Sequence, residues 1–296
     1  MFWLVLGAGE QWINPFDARG QDATILWELR LPRLLIAFSV GGLLALAGAW
    51  FQVLLGNPLA EPYVLGVAGS ASVGAVAGLM LMPESAWVMS IGAFAGAWVG
   101  IVVVMAFSHL GPSRVLLAGV VLAAFWAAIL ALLLALLPEH GLGRAFAWMM
   151  GDLSHSDIPV PLLILAWVAA LACGMLLSRS LDMLLLGERH ASALGVDVHV
   201  LRRRLLWSAS AVTAIAVTAA GTIGFVGLVV PHLMRLIFGT LHRFVLPASA
   251  VGGGLLLMLA DTASRTVIAP AELPVGVLTA IIGVPVFLYL LLRRTS

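Results

Sequence analysis

The 296-residue chain carries very little charge, no lysine and a single cysteine. Only 10% of its residues are charged and 62% are hydrophobic, whereas a soluble domain averages about 25% charged residues. All 15 basic residues are arginine. The absence of lysine excludes a phosphate-binding loop of the GxxxxGKS/T kind and a Schiff-base lysine, because both need the ammonium group. The chain therefore cannot be an ordinary ATPase by itself.

The lone Cys173 lies in an apolar run and cannot form an internal disulfide, a cysteine zinc site or an iron–sulfur cluster. We interpret it as a small buried hydrophobic side chain. The seven histidines are scattered, and Ser154, His155 and Asp157 share one loop, whereas catalytic triads are normally assembled from distant segments. A net charge of +1 gives no sign of nucleic-acid binding. We therefore predict no enzymatic activity, cofactor, metal or nucleic-acid partner.

Long apolar runs predict an all-α protein, a polytopic bundle of transmembrane helices. The nine predicted spans are 34–55, 63–82, 86–108, 115–137, 158–178, 205–220, 223–238, 244–260 and 275–292. Before them, MFWLVLGAG is too short to cross a bilayer and has no basic region of a signal peptide, so we interpret it as a truncated first helix. Pro231 and Pro285 lie inside two spans and are expected to kink or break those helices.

The arginines predict the orientation, because positively charged short loops stay cytoplasmic. With the C-terminal arginines inside, ten of the 15 fall on the inner side, namely Arg114, Arg179, Arg189, Arg202, Arg203, Arg204, Arg235, Arg243, Arg293 and Arg294. The outer side keeps Arg19, Arg30, Arg33, Arg144 and Arg265. The residues up to Arg33 are therefore predicted to lie outside.

Small residues recur at every fourth position in two spans. They are Gly66, Ser70, Gly74 and Gly78 in one span, and Gly92, Gly96 and Gly100 in the next. Such stripes let helix backbones approach closely, which is what holds helices together in lipid. We interpret them as packing faces, with a pore lining for a bulky solute as the alternative.

The longest inner loop, about 179–204, contains a short amphipathic helix by its spacing, from Asp182 to Leu194, and a stop at Gly195. Such a helix lies on lipid or docks into a protein groove. With only one basic residue it is a poor match for a lipid surface, so docking is favoured.

On the outer side, Asp261 and Arg265 lie four residues apart on one helical face and are expected to pair. The pair either lets both charges sit at the interface or holds Arg265 for an outside partner. Arg30 and Arg33 offer the same choice, with snorkelling to lipid headgroups as the alternative to a partner.

Three long motifs carry a family resemblance: NPLAEPYVLGVAGSASVGAV (57–76), GTIGFVGLVVPHLMRL (221–236) and AELPVGVLTAIIGVPVFLYLLLRR (271–294). With them the chain resembles, from about Ala8 onwards, the permease subunit of type II ATP-binding-cassette importers, which take up vitamin B12, haem and iron-siderophores. Within that family GEQWINP (9–15), NPLAEP and WMMG (148–151) are most similar to the vitamin B12 permeases.

The resemblance implies one permease domain over 1–296 in the bacterial inner membrane, with a cytoplasmic coupling-helix loop at about 182–199. It implies a homodimer of ten-helix subunits, in which the first helix would be truncated here. Two cytoplasmic ATP-binding subunits and a periplasmic substrate-binding protein are the implied partners, besides membrane lipid.

The resemblance also assigns roles by position. Arg30, Arg33 and Arg265 match arginines that receive acidic residues of the docked binding protein. The coupling residues would be Leu186, Gly187, Glu188, Ala191, Leu194 and Gly195, and Asn57 and Leu59 match residues of a cytoplasmic gate. Ser113 falls in the other gate segment, where Gly111, Pro112 and Ser113 depart from the family's more hydroxylic run.

The predicted function is import of vitamin B12 by an ATP-driven conformational cycle. The nearest alternative is the same machine carrying haem or a ferric siderophore. An ion-coupled secondary transporter would need acids buried in mid-span, whereas the acids of this sequence lie in loops or, like Asp261, near a helix end. A structural or assembly protein is disfavoured by the cytoplasmic helix and the outer arginines.

Overall fold

The computed structural model describes residues 2–9, 12–85, 87–154, 156–268 and 271–293, and this part of the chain is all-helical. Each of the nine predicted spans corresponds to a helix, which confirms the predicted fold class. The helices are α1 (Phe2–Gly7), α2 (Gln21–Thr24), α3 (Leu31–Leu54), α4 (Val67–Leu81), α5 (Val88–Ala106), α6 (Pro112–Leu136), α7 (Glu139–Met149), α8 (Val160–Leu185), α9 (Glu188–Ala193), α10 (Val198–Ala220), α11 (Val226–Phe238), α12 (His242–Thr266) and α13 (Val275–Arg293). Residues Ile25–Arg30 form π-helical turns that lead into α3.

Among the residues that the structure describes, five helices are long and apolar enough to cross a membrane: α3, α5, α6, α8 and α12. Two others are shorter than predicted, since α4 has 15 residues and α11 has 13. At 1.5 Å per residue these cover about 22 Å and about 20 Å, less than the roughly 30 Å of a hydrocarbon core. Both predicted starts are wrong because the backbone turns there: Gly66 has φ +77° and Phe225 has φ +67°.

Two helices are not broken at proline, and one predicted helix is divided at a glycine. The helices α11 and α13 continue through Pro231 and Pro285, so neither proline breaks its helix. The predicted helix from Asp182 to Leu194 is wrong in extent: α8 runs on to Leu185, and Gly187 adopts φ +100°, which ends it. The separate α9 then begins at Glu188, and the chain turns at Gly195 as predicted.

Helix α7 was not predicted, because Glu139, His140 and Arg144 make its sequence look like a polar outer loop. It packs against α4 through the small side chain of Ala145, in a core that it shares with α5 and α10. The packing-face interpretation of the small-residue stripes is confirmed in the same core. A Cβ on Gly74 would lie 2.0 Å from the carbonyl oxygen of Gly92, so the backbones of α4 and α5 are in direct contact.

Helix α3 forms the centre of the bundle and packs against α8, α10, α11 and α12. Its glycines bring backbones together: a Cβ on Gly41 would lie 2.2 Å from the carbonyl oxygen of Gly253, and one on Gly48 would lie 1.9 Å from that of Gly227. In lipid, where water supplies no drive for helices to associate, such close packing supplies the attraction. The central helix is therefore held by backbone contact as well as by its large side chains Trp50 and Phe51, both fully buried.

Candidate functional site

Four segments that are far apart in sequence meet inside the bundle: 61–63, 148–152, 220–225 and 274–276. We call this meeting point the junction. Each segment belongs to one of the motifs NPLAEP, WMMG, GTIGF and AELPVG. The motifs are thus parts of one structure, a fact that their spacing in the sequence does not reveal.

The centre of the junction is the turn between α10 and α11. Gly221 has φ +69°, and a Cβ there would lie 2.0 Å from the carbonyl oxygen of Trp148. Phe225 adopts φ +67°, a left-handed conformation that is strained for a side chain with a Cβ. The Phe225 N–H donates to Oε1 of Glu61 at 2.5 Å. Tyr63 Oη accepts from the Ile223 N–H at 2.8 Å and donates to the Ile223 carbonyl at 2.9 Å, so two side chains of the NPLAEPY segment fix the turn.

Two further backbone segments, 148–152 and 274–276, complete the junction. The Asp152 N–H donates to the carbonyl of Ala220 at 3.0 Å, and the Gly276 N–H donates to the carbonyl of Met150 at 3.0 Å. The hydroxyl of Thr222 donates to the carbonyl of Met149. The ends of α7 and α10 and the start of α13 are therefore joined by backbone hydrogen bonds rather than by side-chain packing alone.

The junction lies at about mid-depth of the bundle. Gly227, at the start of α11, contacts the backbone of α3 at Leu44 and Gly48. Leu44 is 13 residues from the start of α3 and 10 from its end, or about 20 Å and about 15 Å along the helix axis. The connection from Leu55 to Gly66 therefore turns back into the bundle and carries Glu61 with it. Glu61 lies in a loop, as the sequence indicates, but that loop reaches mid-depth.

Irregular backbone at membrane depth is tolerated only where it is buried in protein or lines a water-filled cavity. At the junction α7 and α11 both end or begin inside the bundle, and half-helices of this kind form substrate sites in transporters. The junction is accordingly a candidate for contact with a solute that crosses the bundle.

Gln52, which the sequence analysis did not single out, connects α3 to α11. Pro231 has no N–H, so it leaves the carbonyl of Gly227, four residues earlier, without its helical donor. The Nε2 of Gln52 donates to that carbonyl at 3.4 Å and to the carbonyl of Leu228 at 3.3 Å. Its Oε1 accepts from Arg235 Nη1. A buried glutamine of α3 thus supplies the donor that the proline of α11 lacks.

The predicted gate residues lie toward the predicted inner end. Asn57 Oδ1 accepts from the Leu59 N–H at 2.9 Å and so shapes the turn that begins the re-entrant connection. Leu59 is 40% exposed. Ser113 is exposed in the first turn of α6, directly after Gly111 at φ +85°. The structure does not bring Ser113 into a hydrogen bond with Asn57.

The predicted coupling residues surround α9. Ala191 is fully buried and faces the bundle, whereas Leu186 and Leu194 are 64% and 59% exposed. Gly187 and Gly195 bracket the helix with φ +100° and +86°. Oε1 of Glu188 pairs with Nη2 of Arg202 at 2.5 Å, which ties α9 to α10. The helix therefore presents two leucines to its surroundings while its small residue anchors it.

At the predicted outer end, Asp261 is fully buried and bridges two arginines. Arg33 Nε lies 2.8 Å from Oδ1 and Arg265 Nε lies 3.1 Å from Oδ2, which confirms the expected pairing of Asp261 with Arg265. Arg33 also binds Glu272 with both terminal nitrogens, at 3.3 and 3.0 Å. Nη2 of Arg265 is buried and has no hydrogen-bond acceptor among the described residues.

Arg30 is occupied differently from the other two. Its Nη1 donates to the carbonyl of Gly7 at 2.7 Å and to that of Leu6 at 3.4 Å, so it holds α1 against the turns before α3. Its guanidinium also covers Gly9, where a Cβ would lie 2.2 Å from Nη2. The structure thus brings Arg33 and Arg265 together around Asp261 and gives Arg30 a separate contact.

The residues weighed for enzymatic chemistry have other partners. Asp157 accepts from the Ser90 hydroxyl at 2.5 Å, and the Ser154 hydroxyl donates to Asp152. His155 lies outside the described residues, as do Glu10 and Gln11 of the GEQWINP motif. Within the described ranges no group of three or more His, Cys, Asp or Glu side chains could hold a metal ion. Cys173 is half-buried, with its Sγ 3.9 Å from the hydroxyl of Ser208.

Comparison with known proteins gives a consistent result over nearly the whole chain. The model of the FecCD transport family matches residues 1–293. The chain is 41% identical over 296 residues to the vitamin B12 import system permease protein BtuC of Vibrio vulnificus (strain CMCP6), covering 98% of this chain and 89% of that protein. It is 41% identical over 297 residues to the protein of the same name from Salmonella typhi, covering 98% and 90%.

Two solved structures share the architecture. A metal-chelate type ABC transporter, described in an inward-facing conformation, superposes with a TM-score of 0.86 at 29% identity, covering 99% of this chain and 95% of that chain. PsaBC from Streptococcus pneumoniae superposes with a TM-score of 0.65 at 16% identity, covering 90% and 92%, a likeness of fold alone.

Proposed function

Since the chain belongs to the FecCD transport family and is therefore a permease of a type II ABC importer, we propose that its substrate is vitamin B12. It is a multi-pass, non-catalytic component of the bacterial inner membrane. Permease subunits of ABC importers associate with an ATPase and a binding protein. The chain contributes no covalent step, and its work is to alternate between access from outside and access from inside.

The observation that carries the substrate proposal is the junction, considered together with the identity of the relatives. The NPLAEP and WMMG motifs, which resemble those of vitamin B12 permeases, both contribute to it: the first supplies the side chain of Glu61, and the second supplies the backbone carbonyl of Met150. The two compared relatives, both named vitamin B12 import permeases, are 41% identical to this chain over the aligned residues. The position of the two motifs at the junction supports vitamin B12 as the substrate.

The chemistry of the walls permits a solute of this kind. Vitamin B12 is bulky, amphiphilic and close to neutral overall, so its path needs width and weakly interacting surfaces. Helices α4 and α5 are rich in glycine and alanine and carry no ionisable side chain. At the junction Oε1 of Glu61 already accepts a hydrogen bond from the Phe225 N–H, so this oxygen is engaged by the protein.

The test is uptake into proteoliposomes that contain the permease with its ATPase and binding protein. We expect ATP-dependent accumulation of radiolabelled cobalamin, with haem and ferric hydroxamates failing to compete. Uptake of haem or a siderophore without cobalamin would overturn the substrate and leave the family assignment intact.

A matched pair of variants tests the role of the junction. We expect Glu61→Gln to lower cobalamin uptake, because the carboxylate that holds the strained Phe225 is replaced by a weaker acceptor. Glu84→Gln makes the same change on an exposed outer turn and should leave uptake unchanged. Equal uptake by both variants would remove the junction from the transport cycle.

We further propose a homodimer that binds two cytoplasmic ATPase subunits. Helix α6 leaves most of its apolar surface exposed on the protomer, where a second copy or lipid can cover it. The exposed Leu186 and Leu194 beside α9 support ATPase docking, because they are apolar surfaces at the predicted inner end. Neutron or light scattering of the detergent-solubilised permease, corrected for bound detergent, would distinguish a dimer from a monomer.

For the binding protein we propose docking at Arg33 and Arg265, with Arg30 beside them. Nη2 of Arg265 is buried without an acceptor among the described residues, so it would serve as a donor for an incoming carboxylate once the side chain turns outward. The exposed carboxylate of Glu272 occupies the fork of Arg33 and would compete with an incoming acidic residue for it. Glu272→Gln should therefore tighten binding-protein association, while Glu28→Gln, on another exposed outer acid, should not. Unchanged or weaker association with Glu272→Gln would contradict docking at Arg33.

A further inference from the structure

Two adjoining cavities open between the gate segment after α5, helix α9 and the start of α10. Their volumes are about 210 Å³ and about 400 Å³. Both are lined by Ser108, His109, Gly111, His199 and Arg202. They form one cleft at the predicted inner end of the bundle, separate from the junction.

Hydrogen-bond donors without a partner converge on this cleft. Ser108, His109 and His199 make no hydrogen bond or ion pair within the described part of the chain, and neither does Arg203, which lines the smaller cavity. Arg202 uses Nη2 to pair with Glu188, but its Nε is buried and has no acceptor among the described residues. A buried donor left unpaired is costly, so an acceptor is missing from the cleft.

The carboxylates near the cleft already have partners within the protein. Glu188 binds Arg202, and Asp197 Oδ1 accepts the Val200 N–H at 3.0 Å as the N-cap of α10. The described lining of the smaller cavity contains two arginines and two histidines but no acidic side chain. Its volume is several times the roughly 30 Å³ that a water molecule occupies in the liquid, so a small anion fits. The smaller cavity thus keeps one arginine, Arg203, that no carboxylate of the described residues pairs, beside the guanidinium of Arg202, whose buried Nε lacks an acceptor.

We propose that a phosphate group binds in the smaller cavity, held by the guanidinium groups of Arg202 and Arg203. Arginine forks match the oxygens of a phosphate and bind them with two parallel hydrogen bonds. The opposite wall is apolar, formed by Leu54, Leu55, Val115 and Leu206. The phosphate can come from the headgroup of an anionic phospholipid, whose glycerol and chains would cover this wall, or from free phosphate in the cytoplasm.

A bound phosphate would connect two parts of the transport machinery. It would contact Ser108 and His109 in the turn that leads to the predicted gate segment, and Arg202, which binds Glu188, connects it to α9. This inference stands independently of the proposed substrate, because it uses only residues of the cleft.

The test uses the full-length permease in nanodiscs of phosphatidylcholine, with the thermal unfolding midpoint as readout. In one arm phosphatidylglycerol replaces an increasing fraction of the lipid. In the other, sodium phosphate is added, with sodium chloride at matched ionic strength as its reference. The variants are Arg203→Gln and, as control, Arg204→Gln, which removes the same charge one residue further on, at an exposed position that does not line the cavity. Both side chains are exposed, so neither variant removes packing from the core.

We expect the unfolding midpoint to rise to a plateau in the wild type and in Arg204→Gln. Arg203→Gln should need about tenfold more phosphatidylglycerol or phosphate to reach the same rise, because one charge-assisted hydrogen bond is worth about that factor in affinity. Saturation in the lipid arm alone assigns the phosphate to a headgroup, and saturation in the phosphate arm admits the free anion. No saturation in either arm, or equal titrations of the two variants, would overturn the proposal and leave the cleft for a carboxylate of the ATPase.

Discussion

The contact between Gln52 and the proline-containing helix gives a prediction that can be worked out in energy. Gln52→Met keeps the length of the side chain but removes the amide that serves the carbonyls of Gly227 and Leu228. An unsatisfied buried polar group costs about 1–3 kcal/mol. Since both hydrogen bonds are long, at 3.4 and 3.3 Å, we expect about 1–2 kcal/mol for the pair. A further loss is expected at Arg235, whose Nη1 donates to Gln52.

The second half of the prediction concerns Pro231, 179 residues away in the sequence. Pro231→Ala would restore an N–H that can donate to the Gly227 carbonyl within α11. The glutamine would then no longer be needed at that carbonyl. In the Pro231→Ala background Gln52→Met should therefore cost about 1 kcal/mol less than in the wild type, a coupling typical of residues that share a partner.

The assay is the thermal unfolding midpoint of the purified permease for all four members of the cycle. For a protein of this size about 1 kcal/mol corresponds to roughly 2–4 °C. Gln52→Met should therefore lower the unfolding midpoint by about 2–8 °C in the wild type, and by a smaller amount in the Pro231→Ala background. Strictly additive shifts would refute the argument, because they would show that Gln52 does not substitute for the donor that Pro231 lacks.

Three further predictions follow from contacts described above. Gly74→Ala should lower the unfolding midpoint by several degrees, because its methyl group would meet the Gly92 carbonyl, whereas Gly143→Ala, with nothing within 4 Å, should be neutral or stabilise by up to about 1 kcal/mol. Asp261→Asn should lower the free energy of unfolding by about 3–5 kcal/mol, because it leaves two buried arginines facing a neutral group. Glu272→Gln, on a half-exposed side chain, should lower it by at most about 1 kcal/mol. Equal shifts of the unfolding midpoint would contradict the ion-pair network. Leu194→Asp should release the ATPase in a pull-down or stop its stimulation by binding protein, while Leu194→Met retains both, and survival of assembly and stimulation in the aspartate variant would indicate a lipid-facing helix.

The sequence alone was sufficient to predict the membrane-spanning helices, because a long apolar run is a strong signal in a membrane protein. It failed where a helix carries polar residues, as α7 does with Glu139 and Arg144. It also failed at the boundary of α9, where a single backbone angle at Gly187 divides a stretch whose spacing looks continuous. Periodicity records which side chains are apolar, but it does not record where the backbone turns.

The candidate site was predicted only in part, for a physical reason. Asp261 and Arg265 are one helical turn apart, so their pairing follows from spacing. Glu61 and Phe225 are 164 residues apart, and nothing local indicates that a Pro-flanked loop turns back to mid-depth. Gln52 was missed because a single polar residue in an apolar run gives no indication of its partner. Contacts of this kind depend on how the helices pack, which is decided by glycines at their crossings.

The enclosure of α3 has a consequence for how the protein is made. Its most apolar stretch is 89% buried, whereas the somewhat more apolar stretch of α8 is only 17% buried. Because a helix as apolar as α3 can enter the bilayer before its neighbours are made, lipid can surround it at that stage. In the finished bundle almost all of that lipid has been exchanged for protein. Assembly of this permease must therefore remove lipid acyl chains from nearly the whole surface of α3. Helix α12 covers the face of α3 with Gly41, and it can do so only after most of the chain has been inserted.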